Sequence, residues 1–242
     1  MKYAILSIII PVYNEEQYIS DILSQVVEAD TLGLQKEIII VDDGSSDNSK
    51  FKIQNAKLQC KIKNCKIITI FKTKNEGKGA VLKTGFLKST GDIVLIQDAD
   101  LEYSPHDYPI LLEPFFEYNA DVVYGSRFVS NKPRRILYFW HSIGNTILTT
   151  FSNILTNLNI TDMETGYKVF RGDLIRNIAK TLESKRFGFE PEITARISKV
   201  RNIKLFEVGI SYKGRTYSEG KKIGWKDGVR AFWEIIKYNL TS

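Results

Sequence analysis

The first half of the chain alternates short aliphatic and β-branched runs with longer stretches of helical period. The runs at 6–12, 37–41, 66–71, 92–97 and 121–124 do not alternate apolar with polar positions, which predicts parallel strands covered on both faces. Between them, residues 15–28, 46–59, 78–88 and 105–117 carry apolar side chains at helical spacing. Strands that alternate with helices predict an α/β layer fold, a mostly parallel sheet flanked by helices. Ligands in such folds bind at the carboxyl ends of the strands.

After Arg127 the pattern changes. Ile136, Trp140, Ile143, Ile147, Phe151, Ile154 and Leu158 recur at steps of three and four, the mark of a long helical stripe in one piece or two. A core helix is one reading. The other starts from the polar face, which carries Ser, Thr and Asn in place of charge, and from Lys132, Arg134 and Arg135 just before it. Cations at a helix N-terminus oppose the macrodipole, so an anionic ligand or a lipid headgroup would account for them. Trp225, Val229, Phe232, Trp233, Ile236 and Leu240 form a second stripe, suited either to core docking or to a membrane surface. Residues 136–161 contain no Asp, Glu, Lys or Arg, but Ser, Thr and Asn recur too often for a lipid-facing span of about 20 apolar residues.

Length and composition bound the rest. With 242 residues, 43% hydrophobic and 26% charged, the chain reads as one folded domain, 1–242, whose functional parts are 1–127 and 128–242. Cys60 and Cys65 lie in a Lys-rich stretch without nearby His, which suggests neither a disulfide framework nor a zinc site. The apolar start at 4–10 runs into Pro11 and a polar stretch, so it predicts a buried strand in place of a leader, and a cytoplasmic location. The formal charge is +6, and residues 213–230 hold six basic against two acidic side chains. That segment points either to an anionic partner or to solvated lysines alone.

Polar residues cluster at the ends of the expected strands. Asp98 and Asp100 follow the fourth strand and share a face, since positions i and i+2 of an extended chain point the same way, and Glu102 continues the spacing. Hard oxygen donors of this kind suit Mg2+ or Mn2+ held with a diphosphate, although an acidic turn without metal explains an isolated Asp-X-Asp as well. Asp42-Asp43-Gly44-Ser45-Ser46 closes the second strand. Gly44 permits a tight turn, Ser45 or Ser46 can cap the next helix, Asp43 is assigned to the turn, and Asp42 can accept the ring N–H of a nucleobase. Asn75-Glu76-Gly77-Lys78-Gly79 has glycines where backbone meets a ligand or turns sharply. It lacks both the dinucleotide and the P-loop spacing, which disfavours redox cofactors and ATPase chemistry.

Taken in order, Pro11-Val12-Tyr13-Asn14-Glu15, Val41-Asp42-Asp43-Gly44-Ser45, Asn75-Glu76-Gly77-Lys78-Gly79, Asp98-Ala99-Asp100, Gly125-Ser126-Arg127 and the run 162–171 resemble family 2 glycosyltransferases with the GT-A fold. The nearest branch is the polyprenyl-phosphate (dolichyl-phosphate) hexose synthases, and the resemblance covers nearly the whole chain. It implies a Rossmann-like GT-A sheet with amphipathic interface helices after the fifth strand. It also implies that Pro11, Tyr13 and Glu15 line the base and ribose of a nucleotide sugar, that Asp42 reads the base edge, and that Gly77 and Lys78 lie against the donor. Asp98 and Asp100 match the family's metal motif, with Glu102 where that branch often has Gln. Arg127 is similar to the arginine that meets phosphate near the reaction centre.

The implied reaction is an inverting, metal-dependent transfer of a hexose from a nucleotide sugar to a polyprenyl phosphate, by a peripheral protein at the cytoplasmic membrane face. A UDP-sugar such as UDP-glucose is favoured, although uridine and guanosine both present a ring N–H that Asp42 can accept. Asp100, Arg127 and Glu192 are the candidate catalytic residues. A lipid phosphate is already an anion and asks for cations, for which Arg127, Arg134 and Arg135 are candidates. The alternative acceptor, a glycan or glycolipid hydroxyl, requires a carboxylate base. Glu192 is the candidate there, its other reading being a helix N-terminal acid that favours the dipole. A non-catalytic sugar-nucleotide-binding protein is a third reading, opposed by the acidic trio and Arg127. Nucleic acid is disfavoured as a partner, because those acids would repel a polyanion.

Overall fold

The computed structural model describes residues 3–60, 65–129, 135–136, 138–186, 188–216 and 225–241. Lys132, Arg134 and the basic stretch 217–224 lie outside the described residues. The elements in chain order are β1 (Ile5–Val12), α1 (Ile19–Glu28), β2 (Gln35–Asp42), α2 (Ser49–Cys60), β3 (Lys66–Phe71), α3 (Lys78–Lys88), β4 (Ile93–Ile96), α4 (Tyr108–Glu117), β5 (Val122–Ser126), α5 (Phe139–Thr156), β6 (Lys168–Arg171), α6 (Gly172–Thr181), α7 (Phe189–Ser198), β7 (Leu205–Gly209) and α8 (Trp225–Thr241). The strands form one sheet in the order β3-β2-β1-β4-β6-β5-β7. All neighbours pair in parallel except β6, which runs antiparallel to both β4 and β5.

The first strand shows why its apolar run lacks alternation. Leu6, Ile8, Ile10 and Val12 enter one core with Ile22 and Val26 of α1, Ile53 of α2 and Leu111 and Phe115 of α4. Ile9 enters the opposite core with Leu82 and Phe86 of α3, Ile175 of α6, Ile193 of α7 and Ile235 of α8. Successive strand residues point to opposite faces and both faces are covered, so nearly every position is apolar.

Two helices begin later than the periodicity predicts. Residues 15–18 form a turn in which the Tyr18 and Ile19 N–H groups donate to the Glu15 carbonyl at 3.0 Å each, so α1 starts at Ile19. Asp47 accepts the N–H of Ser49 at 3.0 Å and starts α2 there. Ser45 and Ser46 do not cap it: Ser45 Oγ accepts the Asn14 N–H (3.0 Å), and Ser46 N–H donates to Asn14 Oδ1 (2.9 Å). These bonds join the end of β1 to the end of β2.

The reversal at β6 has a larger effect on the site. Val169 pairs with Leu95 and Lys168 with Tyr124, so the start of β6 lies at the carboxyl edge of β4 and β5. The preceding segment, 162–167, is thereby delivered to the edge where Asp98 and Arg127 emerge.

The structure corrects the core reading for the stripe on α5, whereas α8 does dock into the core, though not through Phe232, Trp233 or Leu240. In α5 the buried residues are Thr149 and Ser152, whereas Trp140, Ile147 and Ile154 are 77%, 56% and 70% exposed. In α8 the inward residues are Ala231, Ile235 and Tyr238, while Phe232, Trp233 and Leu240 are exposed. Phe151 and Phe232 join the two helices by stacking at 4.2 Å between ring centroids. No helix among the described residues is long and apolar enough to cross a membrane.

Candidate active site

At the end of β2, Asp42 is fully buried. Its Oδ1 accepts the N–H groups of Gly44 and Ser45 at 3.1 Å each, and its Oδ2 has no hydrogen-bond partner among the described residues. A buried carboxylate oxygen left bare costs free energy until a donor reaches it. Pro11 and Val12 run alongside Val41 and Asp42 in register, so Pro11, Tyr13 and Asp42 share one corner, with Tyr13 exposed at its mouth. Asp43 ties this corner to the glycine loop by accepting the N–H groups of Glu76 (2.9 Å) and Gly77 (2.7 Å). Gly77 has φ +94°, and a Cβ there would meet the Lys185 carbonyl oxygen at 2.0 Å, so only glycine fits beneath residue 185.

The loop after β4 carries the three acids. Lys78, the first residue of α3, places Nζ 3.0 Å from Asp98 Oδ1 and 3.3 Å from Glu190 Oε1. Burial opposes the Lys78 charge, but Asp98 and Glu190 outweigh it and raise its pKa. Arg215 reaches Asp100 Oδ2 at 2.8 Å, Glu102 Oε1 at 3.2 Å and Glu15 Oε2 at 3.7 Å. Glu102 is otherwise taken up by the 212–215 segment, accepting the Tyr212 hydroxyl (2.8 Å) and the Arg215 N–H (2.9 Å). Burial, Asp98 and Glu102 push the Asp100 carboxyl up to about 7, against the pull of Arg215.

These acids fit a hard divalent cation in donor chemistry and in charge. Among the described residues, the ion pairs and charge interactions of this edge set Glu15, Asp98, Asp100, Glu102, Asp162, Glu164 and Glu190 against Lys78, Arg127, Lys168 and Arg215. The excess is negative, and the raised Asp100 expresses it. Among the described residues no three acidic, His or Cys side chains are grouped as a metal cage would be. A cation here would therefore take part of its shell from a ligand, as Mg2+ does with substrate phosphates.

Arg127, one residue beyond β5, is clamped. Its Nε and Nη2 each donate to Asp162 at 2.7 Å, Nη2 also reaches Asn145 Oδ1 of α5 at 3.2 Å, and its guanidinium lies 5.2 Å from the Tyr212 ring centroid. Arg135 donates its backbone N–H to the Tyr212 carbonyl (3.1 Å) and Nη1 to the Gly214 carbonyl (3.2 Å). Arg127 and Arg135 therefore both lie against the 212–215 segment that carries Arg215. Arg134, the third cation expected to meet an acceptor phosphate, lies outside the described residues.

The acid at the start of α7 that faces the site is Glu190. Glu192, expected as the candidate base, is fully buried; its carboxylate accepts the N–H groups of Glu183 (2.9 Å) and Ser184 (2.7 Å) and pairs with Arg196 at 2.8 Å. Residues i and i+2 of a helix do not share a face, so Glu190 turns to Lys78 and Glu192 to the loop after α6. Sequence reasoning also assigned no role to Asp162, Glu164, Lys168 or Arg215. The first three sit in the recognised 162–171 run, and Arg215 sits in a basic loop whose acidic partners are more than 100 positions away.

The carboxyl edge thus brings together a buried carboxylate with a bare oxygen at the end of β2, an acidic pair after β4, and cations around them. Residues 7–179 match the family model described as glycosyl transferase family 2, and the chain belongs to that family. It is a glycosyltransferase. The UDP-N-acetylglucosamine--dolichyl-phosphate N-acetylglucosaminyltransferase of Methanococcus voltae is 27% identical to it over 252 aligned positions, covering 99% of this chain and 98% of the relative. The dolichol-phosphate mannosyltransferase of Pyrococcus furiosus is 28% identical, covering 96% of this chain and 64% of the relative. Glucosyl-3-phosphoglycerate synthase from Mycobacterium tuberculosis, solved with Mn2+, UDP and phosphoglyceric acid, shares the fold with a TM-score of 0.72 at 15% identity, covering 98% of this chain and 78% of that one.

Proposed function

We propose that the protein transfers a hexose from a nucleotide sugar, a UDP-sugar first among them, to a polyprenyl phosphate while resting on the cytoplasmic face of a membrane. The bare Asp42 Oδ2 supports a base with a ring N–H as its partner. The two curated relatives named for dolichyl phosphate support the acceptor class. The observation that carries the lipid acceptor is α5. Its 18 residues include no Asp, Glu, Lys or Arg, its polar side holds Arg127 and Asp162 through Asn145, and its apolar side is turned outward. A helix built this way suits the interface between headgroups and acyl chains.

The chemistry follows from charge. An oxygen of the lipid phosphate attacks the anomeric carbon as the bond to the diphosphate breaks, and the electron pair leaves on the nucleoside diphosphate. The acceptor is already an anion, so no base is needed, and a single displacement inverts the centre. Mg2+ or Mn2+ held by Asp98 and Asp100 would supply positive charge against the leaving diphosphate. Lys78 and Arg215 hold positive charge at the same edge, and Arg127, kept in place by Asp162, is the cation for the acceptor, with Arg134 and Arg135 beside it in sequence. A hydroxyl acceptor would need a free carboxylate base; Glu192 is occupied by two backbone N–H groups and Arg196, so that role would fall to an acid with a bare oxygen such as Glu190.

The test is a screen of UDP- and GDP-sugars against polyprenyl phosphate in vesicles, with Mg2+ or Mn2+, detecting free nucleoside diphosphate and the glycolipid. Turnover with hydroxyl acceptors only would overturn the reading. The double variant Trp140→Glu, Ile147→Glu is expected to keep its melting temperature and its slow donor hydrolysis while losing vesicle binding and transfer to lipid. Unimpaired lipid transfer by that variant would remove α5 from the membrane contact.

A further inference from the structure

Gln97 follows β4 directly and precedes Asp98, and it is fully buried. Every hydrogen-bonding position of its side-chain amide is taken. Nε2 donates to the Asp98 carbonyl (3.0 Å) and the Tyr103 carbonyl (3.3 Å), and Oε1 accepts the hydroxyls of Tyr108 (2.9 Å) and Tyr167 (2.7 Å). The two carbonyls mark the two ends of the loop 98–103, which carries Asp98, Asp100 and Glu102. Inside that loop Leu101 stands at φ +59°, a left-handed conformation that a non-glycine residue adopts only at a cost. Such a loop keeps its shape where its surroundings overdetermine it.

We propose that Gln97 is the positioning residue of the acidic loop: by holding both loop ends it sets the spacing of Asp98 and Asp100, and with it the affinity for the divalent cation. The proposal rests on those two acids holding that cation together with a nucleoside diphosphate. Gln97 itself touches neither carboxylate, so it acts through the backbone that carries them.

The chemistry of the amide decides the residue type. Two carbonyls need hydrogens and two phenols need acceptors, and a neutral carboxamide offers two of each. An ionised glutamate at 97 would face both carbonyls without a hydrogen to give. An apolar side chain would leave two carbonyls and two hydroxyls unpaired inside the protein.

The anchors lie outside the loop. The Gln97 N–H donates to the Ile9 carbonyl of β1 at 2.9 Å, Tyr108 opens α4, and the Tyr167 carbonyl accepts the Gly125 N–H of β5 at 2.9 Å. Three elements of the core thus fix one side chain, and that side chain fixes the loop. Tyr103 closes the far end, with its ring 4.9 Å from the Tyr167 ring and its hydroxyl accepting the Gly166 N–H at 2.8 Å. A Cβ on Gly166 would lie 2.4 Å from Asp98 Oδ2, so the Asp98 carboxylate rests against backbone and has no room to drift that way. Metal ligands aimed by buried hydrogen bonds lose their aim when those bonds are removed.

The experiment measures UDP and GDP binding by calorimetry in EDTA and in Mn2+, well below the melting temperature of each protein, for the full chain, Gln97→Met, Tyr108→Phe and Tyr167→Phe. The readout is the ratio of the two Kd values, which reports how much the cation adds. In Gln97→Met that ratio is expected to fall by about 10-fold or more while the Kd in EDTA stays within about 2-fold. Tyr108→Phe and Tyr167→Phe each remove one hydrogen from Oε1 and keep the ring, and each should lower the ratio by about 3-fold; they carry the test alone if Gln97→Met does not fold. A lower melting temperature with an unchanged ratio would make Gln97 a stabiliser of the fold only and overturn the proposal. Equal losses in EDTA and in Mn2+ would overturn it too, since the network would then serve the nucleotide and not the cation. A ratio of one in the unsubstituted protein would overturn the metal reading itself, and the proposal with it.

Discussion

The two edges of the sheet treat their carboxylates in opposite ways. At the amino edge Glu37, 1% exposed, has both oxygens satisfied: it accepts from the Ser7 hydroxyl (2.6 Å), the Thr90 N–H (2.7 Å), the Thr90 hydroxyl (2.8 Å) and Lys66 (2.6 Å). Burial pushes Glu37 up, but those bonds outweigh it and hold it at about 2. At the carboxyl edge Asp42, Glu164 and Glu190 each keep an oxygen without a hydrogen-bond partner among the described residues, and Asp100 is pushed up to about 7. The difference separates structure from function. An acid whose partners all come from the chain contributes to the fold, and an acid left short of partners is a candidate to meet a ligand.

The sharpest way to break this contrast is Asp100→Ala. Removing a metal ligand should lower transfer by about 1000-fold, while thermal melting without ligand stays put or rises, because a like charge is gone from beside Asp98 and Glu102. A large drop in melting temperature would make Asp100 structural and erase the distinction. Glu37→Gln should do the reverse, lowering stability by about 2 kcal/mol in urea unfolding at pH 7 and leaving transfer at saturating donor intact.

Acid sharpens the comparison further. The folded pKa of Glu37 lies below its ordinary value of 4.5, so its stabilisation is present above pH 4.5 and is lost as pH falls toward 2. The gap between Glu37→Gln and the unsubstituted protein should close over that range. Asp100 has the opposite sign: its folded pKa lies above the ordinary 3.8, so its ionisation weakens the ligand-free fold as pH rises from about 4 to 7. Mn2+ needs the ionised form, so its affinity should climb by up to about 10-fold per pH unit below 7 and level off above. A flat Mn2+ titration between pH 5.5 and 8 would contradict this. The smallest effect is expected at the base corner, where Asp42→Asn should raise donor KM by about 10-fold and spare kcat, since that bond is the same in ground and transition states.

Much of the carboxyl edge was legible in the chain, because Asp42, Asp98, Asp100 and Arg127 each follow an apolar run long enough to be recognised as a strand. The reversed strand β6 was not, since Val169 and Phe170 give too little pattern to declare a direction. Without it, Glu164 and Lys168 have no address. Periodicity also reveals that a helix has two faces without saying which one is inside. In α1 the apolar face is buried through Ile19, Ile22, Leu23 and Val26. In α5 the inward face is the polar one, where Asn145 meets Arg127 and Asp162, Thr149 Oγ1 accepts the Met163 N–H at 3.2 Å, and Asn153 donates to the Ile160 carbonyl at 2.7 Å. Those bonds fasten residues 160–163, and hence Asp162, to the site. Glu190 and Glu192 show the same limit at smaller scale: the composition of the segment names the acid, and only the helix phase decides which of the two faces Lys78.

On the proposed function, the outward apolar side of α5 would change how the enzyme meets its second substrate. A protein held to a bilayer by Phe139, Trp140, Ile147 and Ile154 searches for the acceptor by lateral diffusion in two dimensions, and a tethered encounter has a far higher effective concentration than one in bulk solution. Its rate should then follow the surface density of acceptor in the vesicle and not the total amount in the tube. Diluting the polyprenyl phosphate with inert lipid at constant total acceptor would slow the enzyme, whereas diluting the whole suspension would leave the rate per bound enzyme unchanged.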